Sequence, residues 1–323
     1  MISGTFCKIR RCKMKYISPA YFRDFKCIAS DCRHSCCIGW EVDIDADTLA
    51  AYESMTAPYG EKIRESIDFD GDPHFRLREG DRCPHLSACG LCNIITECGE
   101  SSLCQICSDH PRYRNLYEGV TEIGLGLSCE EATRLVLESE NSGIFLVSDS
   151  EDFATAEYRA EYPYELFTGD ERFVAEAKAE YISLINNRDL SIGERLSRLL
   201  PKMPTAEKIK ALFLSLEILD ETWRKRVENI SAEHFNVDFE KYADYIERTV
   251  IAFIFRHTSC ESFYSPKTVA AFAALSAIIV ATLSDEVSSF ADTLRAYSAE
   301  VEYSTDNTER LLDFIEWEIS ELA

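Results

Sequence analysis

Positive charge is scarce in this chain: 34 Lys and Arg stand against 57 Asp and Glu, a formal net charge of −23. Such a chain repels phosphate backbones, and no basic aromatic patch relieves the field, so nucleic acid is not expected as a partner. A basic protein or a lysine-bearing segment would be steered in. Long apolar runs are lacking as well. The most apolar stretch, Thr268 to Leu283, is alanine-rich, broken by Ser276 and shorter than the ~20 residues that span a bilayer. It reads as a buried helix, and no membrane span is expected. Lys8, Arg10, Arg11, Lys13 and Lys15 crowd the N-terminus, but no apolar segment of about 7 to 15 residues follows them. A secretory signal is therefore not expected, and the cytoplasm is the expected compartment. Also missing are G-x-G-x-x-G, a Walker loop, G-x-S-x-G and H-E-x-x-H, which removes the usual support for dinucleotide, nucleotide and hydrolase chemistry.

Cysteine is abundant instead. Of the 14 cysteines, only Cys260 lies beyond residue 129. A chain of 323 residues can bury a core without covalent staples, so this uneven distribution favours a local metal site over a disulfide framework. Cys27, Cys32, Cys36 and Cys37 form C-x4-C-x3-C-C. Cys83, Cys92, the C-x2-C pair Cys104 and Cys107, and Cys129 follow. Two residues between thiols let both sulfurs reach one ion at about 2.3 Å, and soft sulfur suits zinc or an iron-sulfur cluster such as [4Fe-4S]. Four thiolates complete one centre, so nine leave room for two sites or for spare thiols. Adjacent Cys36 and Cys37 do not easily share one metal, so one of them faces elsewhere or serves a second centre. Cys89, Cys98 and Cys260 read as small buried hydrophobes. His34, His85 and His110 lie among the cysteines as ligands or as hydrogen-bond donors to sulfur. The C-x3-C-x2-C spacing common in radical S-adenosylmethionine enzymes is missing. Asp43, Asp45 and Asp47 resemble the start of a calcium loop, but Thr48 and Ser54 occupy its glycine and glutamate positions, so helix capping is the better reading.

The expected fold class is mainly α: a loop-rich, cysteine metal-binding N-terminal part followed by an all-α helical bundle. Residues 1–13, with Cys7 and Cys12, read as a possible extension ahead of Met14; 14–145 as the cysteine-rich region; and 146–323 as the helical domain. Gly39, Gly60, Gly71, Pro73, Gly80, Pro84, Gly90, Gly99 and Pro111 punctuate the first region. Helices are expected there over 45–55 and 129–137, the second capped by Ser128. Beyond residue 150 apolar residues recur at three- and four-residue spacing near 171–186, 205–218, 220–229, 239–257, 266–283, 286–301 and 306–322, the last opened by an Asp306 and Glu309 capping pair. No stretch alternates strictly enough to specify a sheet, although Val120 to Leu127 fits a short strand.

Several strings resemble the flagellin lysine-N-methylase family: F-K-C-I-A-S-D-C-R-H-S-C-C-I-G-W-E-V-D-I-D (Phe25 to Asp45), R-C-P-H-L (Arg82 to Leu86), L-C-x-I (Leu91 to Ile94), G-E-S-S-L-C-Q-I-C-S-D-H-P-R (Gly99 to Arg112), L-S-C-E-E-A-T-R-L (Leu127 to Leu135) and Y-S-A-E-V-E-Y-S (Tyr297 to Ser304). His85 and Glu130 depart from its usual aromatic and proline. The resemblance implies a cytoplasmic protein-lysine N-methyltransferase that moves a methyl group from S-adenosylmethionine to flagellin or another lysine-bearing protein. It also implies that Cys27, Cys32, Cys36, Cys37, Cys83, Cys92, Cys104, Cys107 and Cys129 bind an iron-sulfur cluster or, alternatively, zinc. Tyr297, Glu300 and Glu302 are the candidates for deprotonating the acceptor amine. The same cysteine elements resemble a broader group of zinc- or iron-chelating domains, which keeps open a non-enzymatic chelating or interaction protein whose metal is structural.

Overall fold

The computed structural model describes residues 13–320 except 57, 141–142, 233–234 and 236. Cys7, Cys12 and nearly all of the proposed 1–13 extension thus lie outside the described residues. Seven strands are present among them: β1 (Lys15–Pro19), β2 (Ile67–Asp68), β3 (His74–Phe75), β4 (Arg112–Tyr117), β5 (Val120–Leu125), β6 (Phe145–Ser148) and β7 (Glu157–Arg159). Five of them build one sheet in the order β4-β5-β1-β6-β7, with β1 and β5 parallel and every other pairing antiparallel.

This sheet corrects the expectation of loops followed by helices alone. Only the strand near Val120 was anticipated. Every residue of β5 is buried, so polar and apolar residues do not alternate along it, and period-two reading fails on a strand covered on both faces. A two-residue turn, Glu118-Gly119, joins β4 to β5, with Gly119 at φ +77° where a side chain would be strained. Because β6 and β7 pair outward from β1, the sheet draws strands from both sides of residue 146.

Most of the remainder is helical, as expected: Gly169–Ile185, Ile192–Leu199, Ala206–Ser215, Glu221–Glu228, Ala243–His257, Pro266–Thr282, Phe290–Tyr297 and Thr305–Ser320. Ile192–Leu199, opened by a Ser191/Glu194 capping box, was not anticipated. In the last helix Ser304, rather than Asp306, receives the backbone N–H of Asn307 at 3.3 Å. Pro266–Thr282 is buried at every position from Thr268 to Thr282. Ser276, which interrupts the apolar run, is satisfied there: its hydroxyl donates to the Phe272 carbonyl at 2.7 Å and lies 2.7 Å from the Tyr297 hydroxyl. Among the described residues no helix is long and apolar enough to cross a membrane.

One buried ion pair ties the sheet to these helices. Glu122 of β5 and Lys178 are both fully buried; Lys178 Nζ donates to the two carboxylate oxygens at 2.7 and 2.6 Å and to the Phe255 carbonyl at 3.2 Å. The hydroxyls of Tyr117 and Tyr162 and the amide of Asn115 also donate to the carboxylate. Burial lowers the Lys178 pKa, and Glu122 opposes that shift. Removing one member leaves the other charge uncompensated. Glu122→Gln is therefore expected to cost about 3–5 kcal/mol in urea unfolding, whereas Glu122→Gln with Lys178→Met should cost less than the two single changes summed. Strict additivity would contradict the pairing.

Candidate metal centre

Beside the main core lies a second, smaller apolar cluster, formed by Val42, Ile44, Tyr52, Ile63, Ile67, Phe75, Leu86 and Ile94. Five of the predicted ligands belong to it: Cys83 and Cys104 are buried in it, and Cys37, Cys92 and Cys107 pack against it. Backbone hydrogen bonds set their positions. Cys83 N–H donates to the Cys37 carbonyl at 2.8 Å, Asn93 N–H to the His85 carbonyl at 2.8 Å, and Leu86 bridges to Cys92. Asp45 joins the parts: its side chain caps helix Ala46–Ser54 through Thr48 N–H at 3.0 Å and also accepts Gln105 N–H at 2.8 Å, where helix Gln105–Asp109 begins. Capping is thus what Asp45 does, in agreement with the sequence reading.

Of the other four predicted ligands, Cys27 and Cys36 are exposed and Cys32 and Cys129 half-buried. Cys129 packs against the main core and occupies the N-cap of helix Glu130–Glu138, the position expected for Ser128. Cys32 Sγ lies 3.8 Å from Glu130 Oε2; Cys27 is within electrostatic reach of Cys32, Cys36 and Cys129, and Cys129 of Cys32 and Cys36. A clamp holds the Cys27–Cys36 loop in place. Arg33 gives its backbone N–H and Nε to the Glu130 carboxylate, each at 2.9 Å, and Nη2 to Asp292 of helix Phe290–Tyr297 at 2.8 Å. Sequence reasoning missed this clamp, although Glu130, standing where the resembling family has proline, was the signal available.

Neighbouring thiols alter one another's ionisation. The hydrogen bond from Cys36 lowers the Cys37 pKa to about 7, with help from Ser35 and Arg82, while the Cys36 thiol is raised. Cys104 is lowered by the Cys107 thiol in the same way, and Cys107 is raised. Each pair therefore gives up its first proton readily and its second reluctantly. Burial raises Cys83 to about 11. Cys92, Cys104 and Cys129 all occupy helix N-caps; burial raises the Cys92 and Cys129 thiols, and first-turn N–H groups oppose that shift without reversing it.

Two of the histidines, His85 and His110, lie in buried surroundings. His85 is spent on the Tyr59 hydroxyl at Nδ1 (3.1 Å) and Ser66 Oγ at Nε2 (2.9 Å), and burial lowers its pKa to about 4. Burial likewise lowers His110 to about 4, its ring lying beside Trp40 and Tyr303. Cys89 and Cys260 are exposed rather than buried as expected, and Cys98 is half-buried against the second core.

Soft thiolates in groups of four and five match zinc or an iron-sulfur cluster by donor chemistry. Beside the first group, Arg295 Nε is buried without a hydrogen-bond partner, and Arg295 lies within electrostatic reach of Cys32; an anionic thiolate centre would compensate it. Among the described residues, however, no three His, Cys, Asp or Glu side chains are arranged so that they could hold a metal ion as they stand.

The three C-terminal candidates lie apart from the thiols. Tyr297 is fully buried against Ser276. Glu300 accepts the N–H groups of Leu219 and Asp220 at 2.9 and 2.8 Å, and burial raises its pKa. Glu302 ends a π-helical turn, Ser298–Glu302, and accepts from His257 Nε2 at 2.8 Å and from the Ser298 hydroxyl, with Arg256 Nη1 3.4 Å away. Burial alone would raise this carboxyl, but Arg256 and His257 outweigh it and hold it low. The Arg256 guanidinium stacks 4.9 Å from the Tyr303 ring, whose hydroxyl fits a notch at Gly126. A Cβ there would come within 2.1 Å of that oxygen.

Among curated proteins, a lysine-N-methylase of Salmonella choleraesuis (strain SC-B67) and one of Salmonella typhimurium (strain LT2) are each 26% identical to this chain over 132 residues, 38% of this chain and 33% of the relative. The flagellar biosynthetic protein FliU of Salmonella muenchen is 28% identical over 131 residues, 38% of this chain and 78% of that protein. The match thus spans about a third of the length of either methylase. No family model and no solved structure matches.

The double role of Asp45 is testable. Its carboxyl pKa is lowered, first by the Gln105 N–H, so its contribution is present above the unfolded pKa and lost as pH falls through the lower folded value. Asp45→Ala should cost roughly 1–2 kcal/mol at neutral pH, and the difference from wild type should shrink below about pH 4. A difference that persisted undiminished at pH 2 would contradict the assignment.

Proposed function

From its resemblance to the lysine-N-methylases, we propose that this chain is a cytoplasmic protein-lysine N-methyltransferase that uses S-adenosylmethionine, acts on flagellin or a similar lysine-bearing protein, and carries a cysteine-bound iron-sulfur or zinc centre. The observation that carries this reading is the similarity of the chain over 132 residues to two lysine-N-methylases, alongside the cysteine strings that resemble the same family. The net charge of −23 supports it in a second way, since an acidic surface draws a lysine-bearing partner toward the site.

Methyl transfer forms an N–C bond and breaks the donor's S–C bond. The acceptor must attack as a neutral amine, so its ammonium proton has to leave first. Glu300 and Tyr297 are committed to a backbone cap and a buried hydroxyl contact, which gives them holding roles. Glu302 fixes Arg256, and through it the partly exposed Tyr303, at the edge of the cysteine part beside His110. In this reading Glu302 positions side chains and does not touch the amine. A bound centre would supply Lewis acidity or a docking point for the donor, with the nine cysteines as its available ligands. Close to Cys83, a cleft of about 330 Å³ lined by Tyr59, Lys62, Arg76, Arg78, Pro84 and His85 offers room for a small molecule.

Anaerobically purified, metal-loaded protein incubated with methyl-labelled donor and flagellin should place label on lysine side chains. Glu302→Gln should slow that transfer, whereas Cys89→Ser should leave it unchanged. Metal-loaded protein that leaves every lysine unlabelled would overturn the methylase reading and leave a chelating or interaction role.

A further inference from the structure

The charge of one cleft runs against that of the chain. Lys and Arg are outnumbered 34 to 57 by Asp and Glu overall, yet the cleft of about 330 Å³ beside the second core is lined by Lys62, Arg76 and Arg78 with a single carboxylate, Glu65. Arg76 is already paired, its Nε donating to Asp68 at 3.0 Å. Neither Lys62 nor Arg78 forms an ion pair with any described residue. Both are nevertheless held in place. Lys62 stands on the helical turn Gly60–Glu65 with its Nζ 5.4 Å from the centroid of the Tyr59 ring. Arg78 exchanges two backbone hydrogen bonds with Arg82, at 2.8 and 3.3 Å, which close the turn between them. The floor is His85, 2% exposed. The Ser66 hydroxyl donates to the Ile63 carbonyl at 2.6 Å, so it accepts from His85 Nε2–H at 2.9 Å, and Nδ1 accepts from the Tyr59 hydroxyl at 3.1 Å. Such a ring is neutral, its edge set against Phe75 at 4.7 Å. It adds no charge to the floor, and Leu77 and Pro84 give the walls an apolar part.

We propose that this cleft binds a small phosphomonoester with a ring-sized body, of the nucleoside monophosphate class, Lys62 and Arg78 taking the phosphate while Leu77 and Pro84 take the body. Two unpaired cations match a phosphate, which carries about −1.5 to −2 at neutral pH, better than the single charge of a carboxylate. A guanidinium presents two parallel N–H donors to phosphate oxygens, and an ammonium adds a point charge. The volume falls at the low end of small-molecule sites, about 300–1,000 Å³, so one ring with its phosphate fits and a polymer does not. Glu65 at the rim accepts from a hydroxyl or amino group of the body. Because the whole chain repels anions at a distance, the attraction acts at contact, which favours a ligand that fills the cleft over a free ion. The proposal rests neither on methyl transfer nor on a bound metal.

The test is calorimetric titration of the full chain, purified anaerobically and used without chelator, with AMP, adenosine, inorganic phosphate and benzoate in turn; circular dichroism reports whether each variant is folded. AMP is expected to bind at least about tenfold more tightly than the other three, and raised salt should weaken it. Lys62→Ala and Arg78→Ala should each weaken AMP about tenfold and leave adenosine unchanged. Lys62→Arg should keep most of the affinity. Lys225→Ala, which removes the same charge from an exposed position on helix Glu221–Glu228, should bind AMP as wild type does. Inorganic phosphate should displace AMP from wild type, a measurement that needs no substitution. Folded wild type that takes up no AMP at millimolar concentration would overturn the proposal. So would AMP affinity unmoved in folded Lys62→Ala and Arg78→Ala, or lowered equally in Lys225→Ala. Benzoate bound as tightly as AMP would overturn the choice of phosphate. A chain that binds AMP and labels no lysine would sustain this site while the methylase reading fails.

Discussion

The turn at Ser35–Ile38 is the constraint on which the cysteine part depends. It sets the exposed Cys36 beside the half-buried Cys37, their thiols hydrogen-bonded to each other, next to the smaller core around Cys104. The segments on either side are then pinned by two polar residues that each hold two elements. Arg33 binds Glu130 and Asp292, which fastens the first loop to a helix beside the sheet and to a helix of the C-terminal half. Asp45 takes the opening N–H groups of two helices, which fastens Cys104 to the segment that follows Cys37. Neither contact has to be strong in itself to matter here. A loop-rich segment has little other regular structure to define it, so the geometry of a few caps and clamps decides where the sulfurs stand.

The helical half serves this arrangement by being rigid. Pro266–Thr282 and Ala243–His257 form an apolar centre, and the Glu122–Lys178 pair fixes the sheet to it through groups with no solvent exposure. The pair costs desolvation, but with three further donors on the carboxylate and a carbonyl on the ammonium it specifies one register for β5 against the helices. From that frame the π-helical turn at Ser298–Glu302 reaches back to the cysteine part, with Tyr303 seated between Arg256 and His110 in the space that Gly126 leaves. The C-terminal string is thus physically joined to the cysteine strings, although it contributes no thiol.

Much of this was legible in the sequence, and the gaps have physical reasons. Most of the long helices announced themselves through apolar residues at three- and four-residue spacing, Pro266–Thr282 through an apolar run that is buried on all sides, and Asp45 because a carboxylate ahead of an apolar run is a cap. The sheet was hidden because β5 is buried throughout and β7 is only three residues long. Cys92, Cys104 and Cys129 as helix N-caps were missed because cysteine is not among the usual capping residues, and Arg33 because an ion pair spanning 97 residues leaves no local pattern. The roles of Tyr297 and Glu300 also depended on three-dimensional neighbours: Ser276 and the backbone of Leu219 and Asp220 are remote in sequence.

The central claim is that Arg33, through Glu130 and Asp292, and Asp45, through Thr48 and Gln105, fasten the cysteine-bearing loops to their neighbours. Hydrogen exchange of the intact chain, followed by peptide mass spectrometry, tests it most directly. The account predicts that Arg33→Ala speeds exchange in 27–36 and leaves 104–109 as in wild type, whereas Asp45→Ala speeds exchange in 45–55 and 104–109 and leaves 27–36 as in wild type. Unchanged exchange in both variants would contradict it.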